Sequence, residues 1–308
     1  MRVLLVFIDG LGLGEANPEK NPLFRFQSSF FRTDMPPAVG QVVCRKWQGK
    51  SYFLIPTDAA LDVPGLPQSA TGQTAIFTGV NAAKAVGHHV QAFPGPQLIK
   101  IITEQGILTQ LRQKGFQVTS ANVYTSNYLE LVAQRKRRHS VTTQVILTGG
   151  LPLRSLPEIL CGRAVSQDLT NEMLPQFGVR GVPVISAAKA AARLIRIASE
   201  QHFTMFEYFQ TDFCGHARDW MRAEQIAGLL EEFIGALFSL AAEDMLILVT
   251  NDHGNFEDFS VKTHTLNLVP TLAFGSQAEE ASRRIRSLTD ITPVIVSILE
   301  RNEPGDSR

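Results

Sequence analysis

The chain has 308 residues, 44% of them hydrophobic, enough to bury a substantial core in one large α/β domain without covalent staples. Lysine plus arginine equals aspartate plus glutamate at 29 each, which excludes a global field for nucleic acid or an acidic membrane surface, so an anionic substrate has to be captured locally. Cys44, Cys161 and Cys214 are far apart and show no CxxC spacing, which excludes a disulfide framework or a structural zinc knot and fits the reduced thiols of a cytoplasmic protein.

In chain order, "MRVLLVFIDG" reads as a first strand over 2–8. Asp9 breaks its apolar run and no small-residue cleavage site follows, so it is not expected to act as a secretion signal. The segments 116–121, 203–209, 245–250 and 269–274 are likewise short, rich in β-branched and aromatic residues and apolar on both alternating faces, as strands covered by helices on both sides are. Between them, 186–201 starts a helix at a Ser186 cap. In the stretch 223–244, Ile226, Leu229, Leu230, Phe233, Ile234, Leu237 and Phe238 follow the spacing of one buried helix face. The alternation predicts an α/β fold with a mainly parallel sheet sandwiched by helices, residues 1–308 forming one domain. Residues 122–185, with the basic run "QRKRRH" (134–139) and several glycines and prolines, break the rhythm and are read as a small insertion or cap. The tail "NEPGDSR" is expected to fray. No segment approaches the roughly 18 uninterrupted apolar residues of a membrane span.

In open α/β sheets ligands bind at the carboxyl ends of the strands, and three of these strands stop at or just before an acid: Asp9, Asp212 and Asp252. His253 adjoins Asp252, His216 follows Asp212 by four residues, and His264 lies in "KTHTLNLVP". A lone acid at a strand end is usually a turn or a cap. Three acids and three histidines on one rim have no such reason to gather, and this donor set suits two divalent cations, zinc or manganese, better than all-oxygen-seeking magnesium or calcium. Cys214 is expected to pack rather than ligate.

Five segments, "VFIDGLG", "GLPQSATGQTAIFTG", "TDFCGH", "TNDHGNFE" and "KTHTLNLVP", resemble the metal and nucleophile motifs of the alkaline phosphatase superfamily, most closely its cofactor-independent phosphoglycerate mutase branch. The resemblance implies one metal held by Asp212, His216 and His264, and a second held by Asp9, Asp252 and His253 with the nucleophile's oxygen. Ser69, Thr71, Thr74 and Thr78 offer hydroxyls. Because a serine follows Gly-Asn in the mutases and Gly72-Gln73 precedes Thr74 here, Thr74 is the expected nucleophile and metal ligand, with Thr71 and Ser69 as alternatives. A hydroxyl at a helix start would also meet free amides suited to phosphate.

The implied chemistry is two-metal phosphoryl transfer to a small phosphorylated substrate through a covalent phosphothreonine. The long inserted domain of the mutases is missing, which favours phosphomonoester hydrolysis over mutase action; a scaffold that binds metal without activity is the third reading. The "DGLGLG" glycines miss dinucleotide-loop spacing. The basic run, without interleaved aromatics, is read as a solvated helix face doubling as a weak attractant for anions, not as a nucleic-acid site. His88 and His89 are expected in a loop, with Asn17 and Arg163 as further candidate phosphate contacts.

Overall fold

The computed structural model describes residues 1–34 and 37–302, so from 303 onward the expected frayed tail lies outside the described residues. Among the described residues seven strands form one sheet: β1 (Arg2–Ile8), β2 (Val43–Trp47), β3 (Lys50–Thr57), β4 (Val118–Ser120), β5 (Phe203–Tyr208), β6 (Met245–Asn251) and β7 (Val269–Gly275). Their order across the sheet is β2-β3-β7-β6-β1-β5-β4.

The period-2 alternation of the central strands feeds two cores. Val3, Leu5 and Phe7 of β1 join one apolar cluster, and Leu4, Val6 and Ile8 join the other. The first cluster is covered by helices Ser69–Thr78, Pro96–Gln105, Ile107–Gln113, Val141–Thr148 and Ile291–Arg301, the second by Ala187–Ser199 and Trp220–Leu240. Each large aliphatic or aromatic side chain so buried contributes roughly 1.5–3 kcal/mol. Helix Ala187–Ser199 begins as expected at Ser186, whose side chain accepts from the Lys189 amide at 3.2 Å.

The α/β architecture expected from the sequence is borne out, but the sheet is mixed. Strands β6, β1, β5 and β4 run parallel, whereas β7 is antiparallel to both β6 and β3, and β2 is antiparallel to β3. Strands β2 and β3 were not expected. They form a hairpin turned through Gln48 and Gly49, both at positive φ, and β2 alternates half-buried with exposed residues in the sequence VCRKW, a weak apolar signal at a sheet edge.

Residues 122–185 do not behave as one unit. Val141, Val145 and Ile146 belong to the first main core, while Ile159, Ala164 and Leu174 form a small cluster of their own. The basic run is not a helix face either: helix Ser126–Ala133 is capped at Gln134 and the run follows it, with Arg135 at positive φ. No described helix is long and apolar enough to cross a membrane.

Candidate metal centre

Register places the first acids. Ile8 of β1 lies opposite Tyr208 of β5 on one side and Asn251 of β6 on the other, so the three strands end in one row. Asp9 and Asp252 are the next residues and stand side by side on the carboxyl rim, the Gly10 amide donating to Asp252 Oδ1 at 3.2 Å. His253 Nε2 lies 3.3 Å from Asp9 Oδ1 and 3.6 Å from Asp252 Oδ2.

Asp212 reaches the rim by another route than a strand end. Strand β5 stops at Tyr208, and Asp212 occupies the first turn of helix Gln210–Ala217. Four residues along a helix is one turn, so His216 shares its face, with Nε2 3.3 Å from Asp212 Oδ1. The β6–β7 loop returns His264 to the same point, 3.7 Å from Asp212 Oδ1 and 3.3 Å from His216 Nε2. The six side chains named from the sequence thus lie together, and cation-sized groupings occur at Asp9, Asp252 and His253 and at Asp212, His253 and His264.

The donor chemistry fits divalent cations. His216 Nδ1 faces the Lys262 carbonyl at 2.9 Å and His264 Nδ1 faces the Pro67 carbonyl at 2.7 Å. A carbonyl only accepts, so each Nδ1 carries a proton, and in the neutral form of each ring Nε2 then presents a lone pair. With both rings neutral, two lone pairs and a carboxylate oxygen meet within 3.7 Å, an arrangement that a proton or a cation among them would relieve and that suits a divalent ion. At the other group, buried Asp9 Oδ1 has no neighbour to satisfy it but the His253 ring, whose Nε2 lies 3.3 Å away. Burial, then the neighbouring Asp252, raises the Asp9 carboxyl well above its ordinary range, and burial raises Asp252 as well. Burial alone would depress His253, but Asp252 and Asp9 drive it up to about 10. Burial, then the charge on His253 stacked 3.6 Å away, holds His264 down at about 4. The raised carboxyls and the raised His253 express buried negative charge that divalent ions would neutralise, while the depressed His264 stays neutral and keeps a lone pair to offer one.

The structure does not bring Thr74 to this cluster. Its helix, Ser69–Thr78, starts five residues earlier, and the Thr74 hydroxyl donates to the Ala70 carbonyl at 2.6 Å in a fully buried position. The Thr71 hydroxyl is tied to the Gln68 carbonyl at 3.1 Å and the Val90 amide at 3.3 Å. The hydroxyl at the site is that of Ser69, the first helical residue, with Oγ 3.0 Å from His253 Nε2. Of the first-turn amides, those of Ala70 and Gly72 are taken by the Val90 and Gln68 carbonyls, which leaves those of Ser69 and Thr71 for an anion. Gln73, one turn beyond Ser69, donates to Asp252 Oδ2 at 3.0 Å and to Asp9 Oδ2 at 3.3 Å. Close approach of this helix to the rim requires Gly72, where a Cβ would lie 2.8 Å from the Asp252 carbonyl oxygen.

Behind the ligands stands a second set of polar groups that the sequence pattern did not single out. Asn255 donates to Asp212 Oδ1 at 2.7 Å. Buried Glu257 accepts from the Gly12 and Asn255 amides at 2.8 Å each, from Thr265 Oγ1 at 2.5 Å and from Asn267 Nδ2 at 3.0 Å, tying the β6–β7 loop to the segment after β1. The "DHGNFE" segment contained both residues, but one sequence offers no means to separate a ligand from a brace. Cys214 packs, its thiol donating to the Asp219 carbonyl at 3.3 Å. His88 and His89 are bound to the Val86 and Val63 carbonyls in loops, and the Asn17 side chain caps the Glu19 amide. Arg163 does not line the cavity that opens in front of Ser69, Asp9 and Asp212, which has a volume of about 480 Å³.

Residues 179–303 match the family model described as the Metalloenzyme superfamily. A stretch of 131 residues is 28% identical to the 2,3-bisphosphoglycerate-independent phosphoglycerate mutase of Moorella thermoacetica, covering 40% of this chain and 26% of that enzyme. Another of 108 residues is 35% identical to the phosphopentomutase of Shewanella sediminis, covering 34% of this chain and 26% of that one. The matches therefore span about a quarter of the length of these curated relatives. Among solved structures, the alkaline phosphatase of the Antarctic bacterium TAB5 superposes over 98% of both chains with a TM-score of 0.54 at 14% identity. The PH0037 protein of Pyrococcus horikoshii does so over 99% of both with a TM-score of 0.55 at 12% identity, and at such identities the likeness is one of fold. The resemblance carried by the five motifs is borne out by these matches.

Proposed function

From a chain with the alkaline phosphatase superfamily's fold and motifs, we propose a two-cation phosphomonoesterase that works through a covalent phosphoserine on Ser69. The observation that carries this reading is the Ser69 hydroxyl at a helix start, 3.0 Å from His253 Nε2 in a cluster of acids and lone pairs. Asp212, His216 and His264 would hold one cation, and Asp9, Asp252 and His253 the other. When bound, the two ions would neutralise the phosphoryl oxygens and ease loss of the Ser69 proton.

The chain's own groups do the rest. The free amides of Ser69 and Thr71 receive a phosphoryl oxygen. Gln73 and the Gly10 amide fix the orientation of the rim carboxylates, and Asn255 that of Asp212. Ser69 Oγ loses its proton to solvent and attacks phosphorus in line, the ester P–O bond breaks and the departing oxygen takes a proton from water in the cavity, and a second water then cleaves the serine–phosphate bond, releasing phosphate and regenerating the hydroxyl.

Hydrolysis is favoured over mutase action because the described residues contribute to one sheet, with no second sheet to clasp an intermediate away from water. Mutase action is the second reading, favoured by the names of the curated relatives, phosphoglycerate mutase and phosphopentomutase. We take residues 1–308 as one functional unit, with 122–185 supplying a wall of its cavity, and place the protein in the cytoplasm on its three free cysteines. A chromogenic phosphomonoester assay with Mn²⁺ and Zn²⁺ tests the reading: the parent turns over and Ser69→Ala does not. Interconversion of 2- and 3-phosphoglycerate without free phosphate would select the mutase.

A further inference from the structure

The cavity in front of Ser69 is of a size that encloses a sizeable ligand, and a three-carbon ester would leave much of its 480 Å³ to water. Its walls include Phe93, Tyr124, Tyr128, Phe177, Phe209 and Phe213. The Tyr124 and Tyr128 rings lie 5.5 Å apart and the Phe209 and Phe213 rings 5.5 Å apart edge-on. Phe213 is 57% exposed, an unusual position for a large apolar ring unless something covers it. The arginines of the basic run close the rim: Arg137 lies 5.6 Å over Tyr128 and Arg138 5.6 Å over Phe93.

One carboxyl in this lining has no part in the metal centre. Glu207, near the end of β5, is 8% exposed, and its backbone is clamped in both directions by the Asn122 side chain at 2.8 Å. Thr142 donates to Oε1 at 2.8 Å, and among the described residues no side chain donates to Oε2. A largely buried carboxyl with one of its two oxygens left without a side-chain donor, set among aromatic faces, is suited to a ligand that offers a donor and a flat surface.

We propose that this cavity selects a phosphomonoester whose organic group is a planar ring bearing an N–H or O–H donor, such as a nucleoside monophosphate, with Glu207 accepting from the ring and the aromatic wall stacking on it. The phosphate end of this inference rests on the phosphomonoesterase reading; the ring's place does not.

Two measurements test it separately. With the full chain in Mn²⁺, kcat/KM for AMP, CMP or 4-hydroxyphenyl phosphate should exceed that for glycerol 2-phosphate and 3-phosphoglycerate by at least about tenfold, and Glu207→Gln and Tyr128→Ala should each cut that preference by about tenfold. Preference for AMP and CMP over 4-hydroxyphenyl phosphate identifies the ring as a nucleobase; the reverse order identifies a phenol. Equal or better turnover of the ring-free esters overturns the proposal. By calorimetry without added metal, adenosine or tyrosine should bind, more weakly to both variants; failure of both ligands to bind, or binding that neither variant weakens, overturns it too. If no ester is turned over at all, p-nitrophenyl phosphate included, the phosphomonoesterase reading fails, and the calorimetry still decides the place of the ring.

Discussion

At the rim, Asp9, Asp252 and His253 follow strands whose register fixes where they stand, and Glu257 ties the loops behind them together with four donors. Along the cavity wall, Tyr124, Tyr128, Arg137 and Arg138 lie on a short helix and the segments flanking it, held by one another: Tyr128 Oη contacts His139 Nδ1 at 2.8 Å, and Arg138 donates to the Pro94 carbonyl at 2.7 Å. The two regions meet at Ser69. On the proposed reading, the difference teaches that the reaction would be set at the sheet's carboxyl rim, where an ångström of displacement costs rate, and selection delegated to segments that can change without disturbing the sheet.

Breaking the rim should have the largest effects. Ser69→Ala should lower kcat by about a thousandfold or more, about 4 kcal/mol of transition-state stabilisation, in steady-state phosphatase kinetics. Retained activity would remove Ser69 from its role. Asp252→Asn should abolish one of two bound divalent ions by elemental analysis and most activity with it, and an unchanged metal count would break the ligand assignment.

At the border between the regions, burial raises Glu207 from 4.5 to about 7, opposed by the Thr142 hydrogen bond. An acid raised on folding holds its proton in the folded state after the unfolded chain has lost it, so stability falls as pH rises from 4.5 toward 7 and is level above that. The wild type should therefore lose up to about 3 kcal/mol relative to Glu207→Gln across this window in urea titrations. Parallel pH profiles would show that the carboxyl is not buried as described.

Two smaller effects sharpen the comparison. Glu257→Gln exchanges an acceptor for a donor opposite amide and hydroxyl donors and should cost about 1–3 kcal/mol in urea unfolding while loosening metal binding. Thr74→Val should cost only about 1 kcal/mol, with kcat within about threefold of the parent, because its hydroxyl serves the helix backbone. A collapse in kcat for that variant would reinstate Thr74.

Much of the rim was legible because its signals are local. An acid at a strand end, a histidine beside it, and an Asp-to-His spacing of one helical turn are readable residue by residue. The choice among the hydroxyls of helix Ser69–Thr78 was not, since it depends on where the helix starts. Gln68 gives no side-chain cap to mark that start, and the Gly72-Gln73 pair before Thr74 favoured Thr74 over Ser69. A better signal lay in the spacing: Gln73 is one turn from Ser69, and both face the rim. Strand β2 was hidden by polar alternation at the sheet edge, whereas β3, inside the sheet, carries the mostly buried run YFLI broken by Pro56, a strand signal that was present in the sequence. The cavity wall was hidden for a different reason, because Glu207 sits in "FTMFEYF" as one acid in a buried strand, and its partners Asn122 and Thr142 come from segments with no pattern in common with it.

The most direct test is to quench the turning-over, metal-loaded enzyme in acid and map the trapped phosphoryl group by peptide mass spectrometry. The account predicts phosphate on Ser69 in the parent and none in Ser69→Ala. Phosphate on Thr74 or Thr71, or an active enzyme with no trapped phosphoryl group, would contradict it.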